Sequence, residues 1–121
     1  MVDSYVERAL AAMKSEPSRR WTVASLARVA GLSRAPFARR FERVTGRPPV
    51  RYLTELRLRR AATRLVATDD RLAEIASEVG YATEFSFAKA FKRAYGVPPG
   101  VFRRRAWSIT AAFTVAMARA A

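Results

Sequence analysis

An internal repeat constrains the fold of this chain more than any other feature of its sequence. Before a turn glycine the copies match at an offset of 49 residues: Leu26, Val29 or Ala30 and Gly31 correspond to Ile75, Val79 and Gly80. After the turn they match at an offset of 50: Phe37, Phe41, Gly46, Pro48, Pro49 and Tyr52 correspond to Phe87, Phe91, Gly96, Pro98, Pro99 and Phe102. The second copy therefore has one extra residue in its turn. Each copy predicts a short helix, a tight turn and a second helix, which is the outline of a helix-turn-helix.

Glycine, proline and capping residues divide the sequence into seven predicted helices, with no segment that is typical of a strand. The first begins at Ser4, where Ser4 and Glu7 form a predicted capping box, and ends before Pro17. The next six are predicted from the Thr22 cap to Ala30, from the Ser33 cap to Thr45, from Pro49 to Ala67, from Arg71 to Val79 after a break and cap at Thr68–Asp70, from the Thr83 cap to about Gly96, and from Pro99 onward. The predicted fold class is all-α.

Helical spacing of the apolar residues predicts which faces are buried. The expected core residues are Tyr5, Val6, Ala9, Leu10, Met13, Val23, Leu26, Ala27, Ala30, Phe37, Phe41, Val44, Phe87 and Phe91, with Ala90 and either Ala94 or Tyr95 beside the last pair. In the tail Ala106–Ala121, a helical face carries Ile109, Phe113, Met117 and Ala120. We expect this face to pack on the second unit; the alternative is a contact for a partner or for a lost domain.

The charge of the chain is strongly positive and is concentrated around the two motifs. The 121 residues include 23 Lys and Arg against 10 Asp and Glu, a formal net charge of +13. Residues 34–64 hold ten Arg and two Glu, and residues 84–105 hold six Lys or Arg and one Glu. Such a field attracts polyanions, so we expect a nucleic-acid partner. A basic protein without such a partner and a binder of membrane surfaces are the alternatives.

The chain contains no Cys and no His. This excludes disulfides, thiolate and His-based catalysis and nearly every zinc site, and without a Gly-rich phosphate loop an enzyme is not expected. We therefore predict no cofactor and no metal. Asp3 and Glu7 lie where a signal peptide would need basic and apolar residues, and Ala106–Ala118 is too short to cross a bilayer. The expected location is the bacterial cytoplasm, associated with the nucleoid, with no membrane partner.

The stretch from Trp21 to Arg105 resembles the DNA-binding domain of the AraC/XylS family of bacterial regulators. Its two copies read WTVASLARVAGLSRAPFARRFERVTGRPPVRYL and LAEIASEVGYATEFSFAKAFKRAYGVPPGVFRR. The second copy matches the family signature I-A-x-x-x-G-(Y/F), F-x-x-x-F-K and G-x-x-P. The resemblance implies a bilobed domain of seven helices with two homeodomain-like helix-turn-helix lobes joined by a long linker helix. It also implies a promoter-binding regulator, often an activator that contacts RNA polymerase.

This resemblance suggests a division of the chain into four parts: a first lobe over 1–48, a linker helix over 49–67, a second lobe over 68–105 and a helical tail over 106–121. The linker would span about 27 Å at ~1.5 Å per residue. Successive major grooves on one side of double-stranded DNA are about 34 Å apart, so the two lobes are expected to enter neighbouring grooves. Family members commonly have an effector-binding domain before this unit; the chain is either a short standalone regulator or a fragment that lacks that domain.

The residues expected to contact DNA are carried over from the family's two recognition helices. The predicted base-reading residues are Ala35, Ala38, Arg39, Glu84, Phe85, Ser86 and Lys89. Arg39 could bond guanine O6 and N7, and the alanines could touch a thymine methyl. Phe85 either packs on the preceding helix or contacts a thymine methyl, and Glu84 either accepts from cytosine N4 or favours a helix N-terminus. The alternatives for Arg39 are a phosphate contact or a solvated charge, and the alternative for Lys89 is a phosphate contact.

Other cations and hydroxyls near the motifs are predicted to contact phosphates, which position a protein on DNA without reading its sequence. These residues are Ser33, Arg34, Arg40, Arg43, Arg51, Thr83, Lys92, Arg93 and Arg103. A nonspecific architectural or RNA-binding domain would share this basic surface. It would differ in binding every sequence equally.

Overall fold

A computed structural model describes residues 3–120, which form seven α-helices and no strand. The helices are α1 (Ser4–Ser15), α2 (Val23–Ala30), α3 (Arg34–Thr45), α4 (Pro49–Ala67), α5 (Leu72–Glu78), α6 (Glu84–Tyr95) and α7 (Pro99–Ala120). The predicted all-α class is confirmed. Within the described residues, no helix is both long enough and apolar enough to span a membrane.

The chain separates into two compact units, Met1–Arg57 and Leu58–Ala121. The boundary falls inside α4, whose first half contributes Leu53 and Leu56 to the core of unit 1. Its second half contributes Leu58, Ala61 and Leu65 to the core of unit 2. The helix predicted as a linker is thus also core material for both units. The four-part division of the chain stays a prediction, and residues 1, 2 and 121 of its outer parts lie outside the described residues.

In unit 1, α1, α2 and α3 pack around a core that is centred on two phenylalanines of α3. Phe37 and Phe41 are fully buried, with ring centroids 5.6 Å apart. The rest of this core consists of Val6, Ala9, Met13, Trp21, Leu26, Ala27, Ala30, Leu53 and Leu56. The predicted stripe of α3 was wrong in one member, because Val44 is 50% exposed. Tyr5 is also mostly outside the core, where its ring lies beneath the guanidinium groups of Arg8 and Arg40.

Unit 2 repeats this arrangement with the second half of α4, α5 and α6. Phe87 and Phe91 are fully buried, with centroids 5.8 Å apart. Phe102 of α7 meets Phe91 edge-on at 5.2 Å and so joins this core. Of the two neighbours predicted as alternatives, Ala94 is exposed, whereas Tyr95 stacks on Phe91 at 4.5 Å while staying 37% exposed.

Both helix-turn-helix turns use a glycine with positive φ, a conformation in which a Cβ atom would be strained. Gly31 has φ 87° and Gly80 has φ 102°. The amide of the following residue then reaches back to close the helix, Leu32 to the Ala27 carbonyl at 3.0 Å and Tyr81 to the Ala76 carbonyl at 2.8 Å. The second turn contains one more residue before its helix, as the change of offset in the repeat predicts.

Three predicted helix caps differ from the structure. Asp3, and not Ser4, caps α1, because its carboxylate accepts hydrogen bonds from the amides of Tyr5 and Val6. Ser33 occupies the N-cap position of α3 but makes no side-chain capping bond. Asp70 does not cap α5, which begins after Arg71; its carboxylate binds the Arg64 guanidinium instead. Sequence spacing could not reveal that a cation one turn before the end of α4 would compete for Asp70.

The tail does not pack on unit 2 as expected. After Trp107, every described residue of α7 is exposed. The last tail residues held by the unit are Ala106, which is half-buried, and Trp107, whose Nε1 donates to the Val66 carbonyl at 3.0 Å. The predicted helical face of Ile109, Phe113 and Met117 exists but has no partner within residues 3–120.

Candidate nucleic-acid interface

In each unit, the second helix of the helix-turn-helix is fixed by its buried phenylalanines. Because Phe37 and Phe41 point into the core, the residues about half a turn away on α3 must face solvent. Phe87 and Phe91 orient α6 in the same way. The Thr83 hydroxyl further fixes the start of α6, since it accepts a hydrogen bond from the Ser86 amide at 3.0 Å. The phenylalanine packing that orients the two exposed faces therefore does not involve the predicted DNA-contacting side chains, whereas the cap of α6 does involve two of them, Thr83 and Ser86.

The exposed side of α3 presents a shallow groove of arginines. The groove is lined by Pro36, Arg39, Arg40 and Arg43, at the i, i+3, i+4 and i+7 positions of one helical face. Arg39 and Arg43 have no ion pair within the described residues, whereas Arg40 pairs with Asp3 at 2.9 Å and lies over the Tyr5 ring. Three guanidinium groups around one groove suit a polyanion, and two of them have no competing carboxylate.

Sequence reasoning did not count Pro36 among the functional residues. Pro36 lies three residues before Arg39 and four before Arg40, so its place beside them in the groove could have been predicted from helical spacing. A proline within the first turn of α3 removes an amide that would have no intrahelical partner. It therefore leaves a rigid apolar wall beside the arginines without weakening the helix.

The other predicted contacts of unit 1 lie on or near this face. Ser33, Arg34 and Ala35 are exposed at the start of α3, and Ala38 is half-buried. Arg51 is exposed on α4 but lies 3.6 Å from Glu55, a carboxylate that Arg47 also binds at 3.1 Å. We therefore expect Arg51 to contribute less to anion binding than Arg39 or Arg43.

The exposed side of α6 is chemically different. Phe85 is 77% exposed, which rules out the alternative that it packs on α5. Lys89, Lys92 and Arg93 are exposed and have no ion pair in the part of the chain that the structure describes. Glu84 is exposed in the first turn, where a carboxylate also favours the helix dipole, so both of its predicted roles remain open.

Three of the predicted contacts in unit 2 are also engaged within the protein. The hydroxyls of Thr83 and Ser86 are 2.9 Å apart, and Ser86 donates to the Thr83 carbonyl at 3.0 Å. Arg103 donates from Nε to the Leu65 carbonyl at 3.0 Å and from Nη2 to the Thr68 carbonyl at 3.1 Å. The predicted capping role of Thr83 is confirmed, and the bonds of Ser86 and Arg103 give these two residues a structural role that the sequence did not indicate. Their DNA contacts stay predictions, which for Arg103 depend on the remaining Nη1.

The arrangement suits recognition of an anionic partner. Within residues 3–120, no three acidic side chains are grouped as metal ligands would be. What the two faces present is a set of exposed cations and one large exposed apolar side chain, Phe85.

Comparisons with known proteins identify the family. The family model described as a helix-turn-helix domain matches residues 26–105. RclR, an RCS-specific HTH-type transcriptional activator of Escherichia coli K12, is 46% identical over 93 residues, which cover 77% of this chain and 33% of RclR. A Streptomyces lividans protein named as an AraC-like transcription regulator is 42% identical over 104 residues, 86% of this chain and 34% of its own. The chain spans about a third of the length of these relatives.

Solved structures agree with the sequence relatives. The DNA-binding domain of the global transcriptional factor AdpA, solved in complex with a target DNA, superposes with a TM-score of 0.81 at 26% identity, over 85% of this chain and 93% of that one. The C-terminal domain of AraT, a response regulator from Geobacillus stearothermophilus, gives a TM-score of 0.81 at 33% identity, over 85% and 86%. The chain belongs to the AraC/XylS family of helix-turn-helix proteins, which confirms the predicted family. Its relatives are transcription regulators and their DNA-binding domains, which are not enzymes.

Proposed function

We propose that this chain is the sequence-specific DNA-binding part of a bacterial transcription regulator, and that α3 and α6 enter successive major grooves of one promoter site. The observation that carries the proposal is the pair of exposed recognition faces, one lined by Arg39 and Arg43 and the other bearing Phe85 and Lys89. A cation without a carboxylate partner can bind a phosphate or a base edge without first breaking an ion pair within the protein. An exposed phenylalanine beside them has no role in the core.

The relatives support the regulatory part of the proposal. RclR is named a transcriptional activator, and the AdpA domain was solved with a target DNA. We infer from them an activator that acts in the bacterial cytoplasm, associated with the nucleoid, and that contacts RNA polymerase at the promoter. An effector-binding domain elsewhere in a longer protein would supply the signal.

The test is a binding-site selection followed by competition at several salt concentrations. We expect the selected duplex to bind at least about 10³-fold more tightly than a scrambled one at physiological salt. The affinity should fall steeply with salt because phosphate contacts release counterions. Arg43→Ala should weaken both duplexes by a similar factor and reduce the salt slope by about one. Arg119→Ala, which removes the same charge from the exposed end of α7, serves as the control and should change neither.

A second candidate function is a nonspecific architectural or RNA-binding domain, which the net charge of +13 favours. For a nonspecific domain, the same experiment should show every duplex competing equally, and no consensus sequence should emerge from the selection. That result would remove the sequence-specific proposal while leaving the basic surface explained.

A further inference from the structure

The exposed end of α7 carries an apolar face that the DNA-binding role does not use. Ile109, Phe113 and Met117 are 71%, 65% and 57% exposed. They lie four residues apart and therefore share one side of the helix. Monomeric proteins rarely leave a contiguous row of large apolar side chains in water, so the row indicates a binding surface.

The charge around this face limits what can bind there. Ala106–Ala118 contains no charged residue, although the chain as a whole has 33 of them; Arg103, Arg104 and Arg105 precede this segment and Arg119 follows it. A nucleic acid needs cations, which this segment lacks. A helix that lies in a membrane surface typically has Lys and Arg on its polar face, whereas the remaining faces here carry Ser108, Thr114 and Val115. The face therefore fits an uncharged apolar surface of a protein.

The spacing of the face points to a second copy of the same helix. Ile109 and Met117 lie four residues on either side of Phe113, and Ala106 and Ala120 lie seven residues on either side. At ~3.6 residues per turn, all four lie within about 40° of Phe113 around the helix. In an antiparallel pair, each large residue then meets a large one and each alanine meets an alanine. A symmetric dimer requires such self-complementarity.

We propose that α7 binds α7 of a second copy in an antiparallel pair, with the two-fold axis beside Phe113. Ile109 of one copy then packs beside Met117 of the other, and Ala106 lies opposite Ala120 of the other copy. At the exposures given, each copy would cover roughly 400 Å² of apolar surface. This is at the low end for a specific interface, so we expect a weak dimer with a dissociation constant on the order of 10–100 µM.

Sedimentation equilibrium without DNA tests the dimer over a protein concentration of about 1 to 500 µM. The weight-average mass should rise from 13.5 kDa toward twice that value. Phe113→Glu should associate at least tenfold more weakly, so that its weight-average mass rises clearly less than that of the unmodified chain over the same range. Val115→Glu is the matched control, because Val115 is 48% exposed on the opposite side of the same helix. It should dimerise like the unmodified chain, and circular dichroism should show that both variants keep their helix content.

Two results would overturn the proposal. One is an unmodified chain that stays monomeric at every concentration, and the other is an equal loss of association in both glutamate variants. DNA binding is absent from the experiment, so its failure would leave the proposed promoter binding intact. Conversely, a dimer would form even if the chain bound no specific sequence.

The orientation of the pair can be measured because the chain has no cysteine. Ile109→Cys and Met117→Cys, one of them isotope-labelled, are mixed and oxidised under mild conditions. The antiparallel pair places residue 109 beside residue 117 of the partner, so the mixed disulfide should dominate over either homodisulfide. Homodisulfides alone would show a parallel pair and overturn the antiparallel arrangement.

Discussion

The two units share a three-helix core but close it with different chemistry. In unit 1, Trp21 is 8% exposed, and Leu53 and Leu56 add apolar side chains from α4. At the repeat-related positions, unit 2 has Asp70, Arg103 and Ala106. The same backbone arrangement is thus stabilised at these positions by apolar packing in unit 1 and by a polar network in unit 2.

The polar network of unit 2 joins the end of α4 to α5 and α7. Arg64 binds the carboxylates of Asp70 and Glu78, the latter at 2.7 Å, and Arg103 holds two carbonyls at the end of α4. Unit 1 has its own version of the second contact, since Arg57 donates to the Pro17 and Arg19 carbonyls at 2.8 Å each. In both units an arginine thus donates to two backbone carbonyls, those of the loop after α1 in unit 1 and those at the end of α4 in unit 2, whereas the apolar residues at positions 21, 53 and 56 are particular to unit 1.

The different residues at these positions explain why α7 stops packing against the core of unit 2 after Trp107. On α4, Leu53 and Leu56 continue the buried side of the helix for two turns after Pro49. On α7, Phe102 is followed by Arg103 and Ala106, so the apolar side facing the core ends early. Beyond Trp107 the helix has no surface of unit 2 to cover. The apolar residues farther along are left for another partner.

The largest expected effect is on the free energy of unfolding, and it distinguishes the apolar packing of unit 1 from the polar network of unit 2. Leu53→Ala removes a side chain that is 2% exposed and should lower the free energy of unfolding of unit 1 by about 2–5 kcal/mol. Arg103→Ala leaves the Leu65 and Thr68 carbonyls without their donors and should lower that of unit 2 by about 1–3 kcal/mol. Urea unfolding followed by tryptophan fluorescence distinguishes the units, because Trp21 lies in one and Trp107 in the other.

The control for this pair is Val50→Ala on α4. Val50 is 51% exposed, so its truncation should change stability by less than about 0.5 kcal/mol. A loss from Arg103→Ala as large as that from Leu53→Ala would contradict the comparison, because the polar closure would then be as strong as the apolar one.

The second prediction concerns the recognition faces, where unit 2 is expected to discriminate at least as well as unit 1. Lys89→Ala and Phe85→Ala should each reduce the preference for the selected duplex by about 1–3 kcal/mol, and Arg39→Ala by no more than this. The measurement is the ratio of affinities for the selected duplex and for single-base variants of it. Val44→Ala, which removes another exposed apolar side chain from α3, is the control.

The ranking of the units would be reversed by one pattern of results. If Arg39→Ala alone abolished the preference and neither α6 variant changed it, unit 1 would carry the sequence readout. The exposure of Phe85 would then need another explanation, such as a protein contact.

Much of the fold could be predicted from the sequence because both copies of the repeat carry the same turn glycine and the same pair of phenylalanines. Gly31 and Gly80 each require a positive φ that few other residues adopt, and the paired phenylalanines of α3 and α6 define one buried side. These signals are local, so spacing alone reveals them. The family resemblance added the identity of the recognition helices.

The contacts that the sequence did not reveal mostly join segments that are distant in sequence or depend on which helix lies opposite. Arg103 reaches carbonyls 38 and 35 residues earlier, and Asp70 is taken by Arg64 rather than by a helix start. Val44 has the right spacing for the core, but no neighbouring helix covers it. Helical periodicity gives the direction of a side chain and not what lies opposite, so these outcomes required the tertiary structure.

A smaller effect is expected from the pH dependence of the network in unit 2. The hydrogen bond from Arg64 holds the pKa of Asp70 below its ordinary value, against the opposing effect of desolvation. A lowered pKa stabilises the fold above the ordinary value of about 3.9, and this contribution is lost as the pH falls through the lowered pKa. Asp70→Asn should therefore lower the midpoint of thermal unfolding of unit 2 at pH 7.

The difference between Asp70→Asn and the unmodified chain should shrink as the pH falls from about 4 through the lowered pKa of Asp70, below which the carboxylate is protonated in both the folded and the unfolded state. Asp69→Asn is the control, because Asp69 is exposed and has no ion pair in the described residues. A midpoint difference that stayed constant from pH 7 to pH 2 would show that the carboxylate charge of Asp70 does not stabilise unit 2.

The smallest expected effect tests whether the packing of α7 against the rest of unit 2 ends at Trp107. Removal of residues 109–121 should leave its thermal midpoint within about 2 °C of the unmodified value, because exposed side chains contribute little to stability. Trp107→Ala should lower the midpoint more, since it removes the bond to the Val66 carbonyl and the ring that lies 5.3 Å from the Arg103 guanidinium. The measurement belongs at about 1 µM protein, where the proposed α7 pair would be dissociated. If the truncation were as damaging as Trp107→Ala, the exposed helix would stabilise its own unit, and the early end of the apolar side of α7 would not explain its exposure.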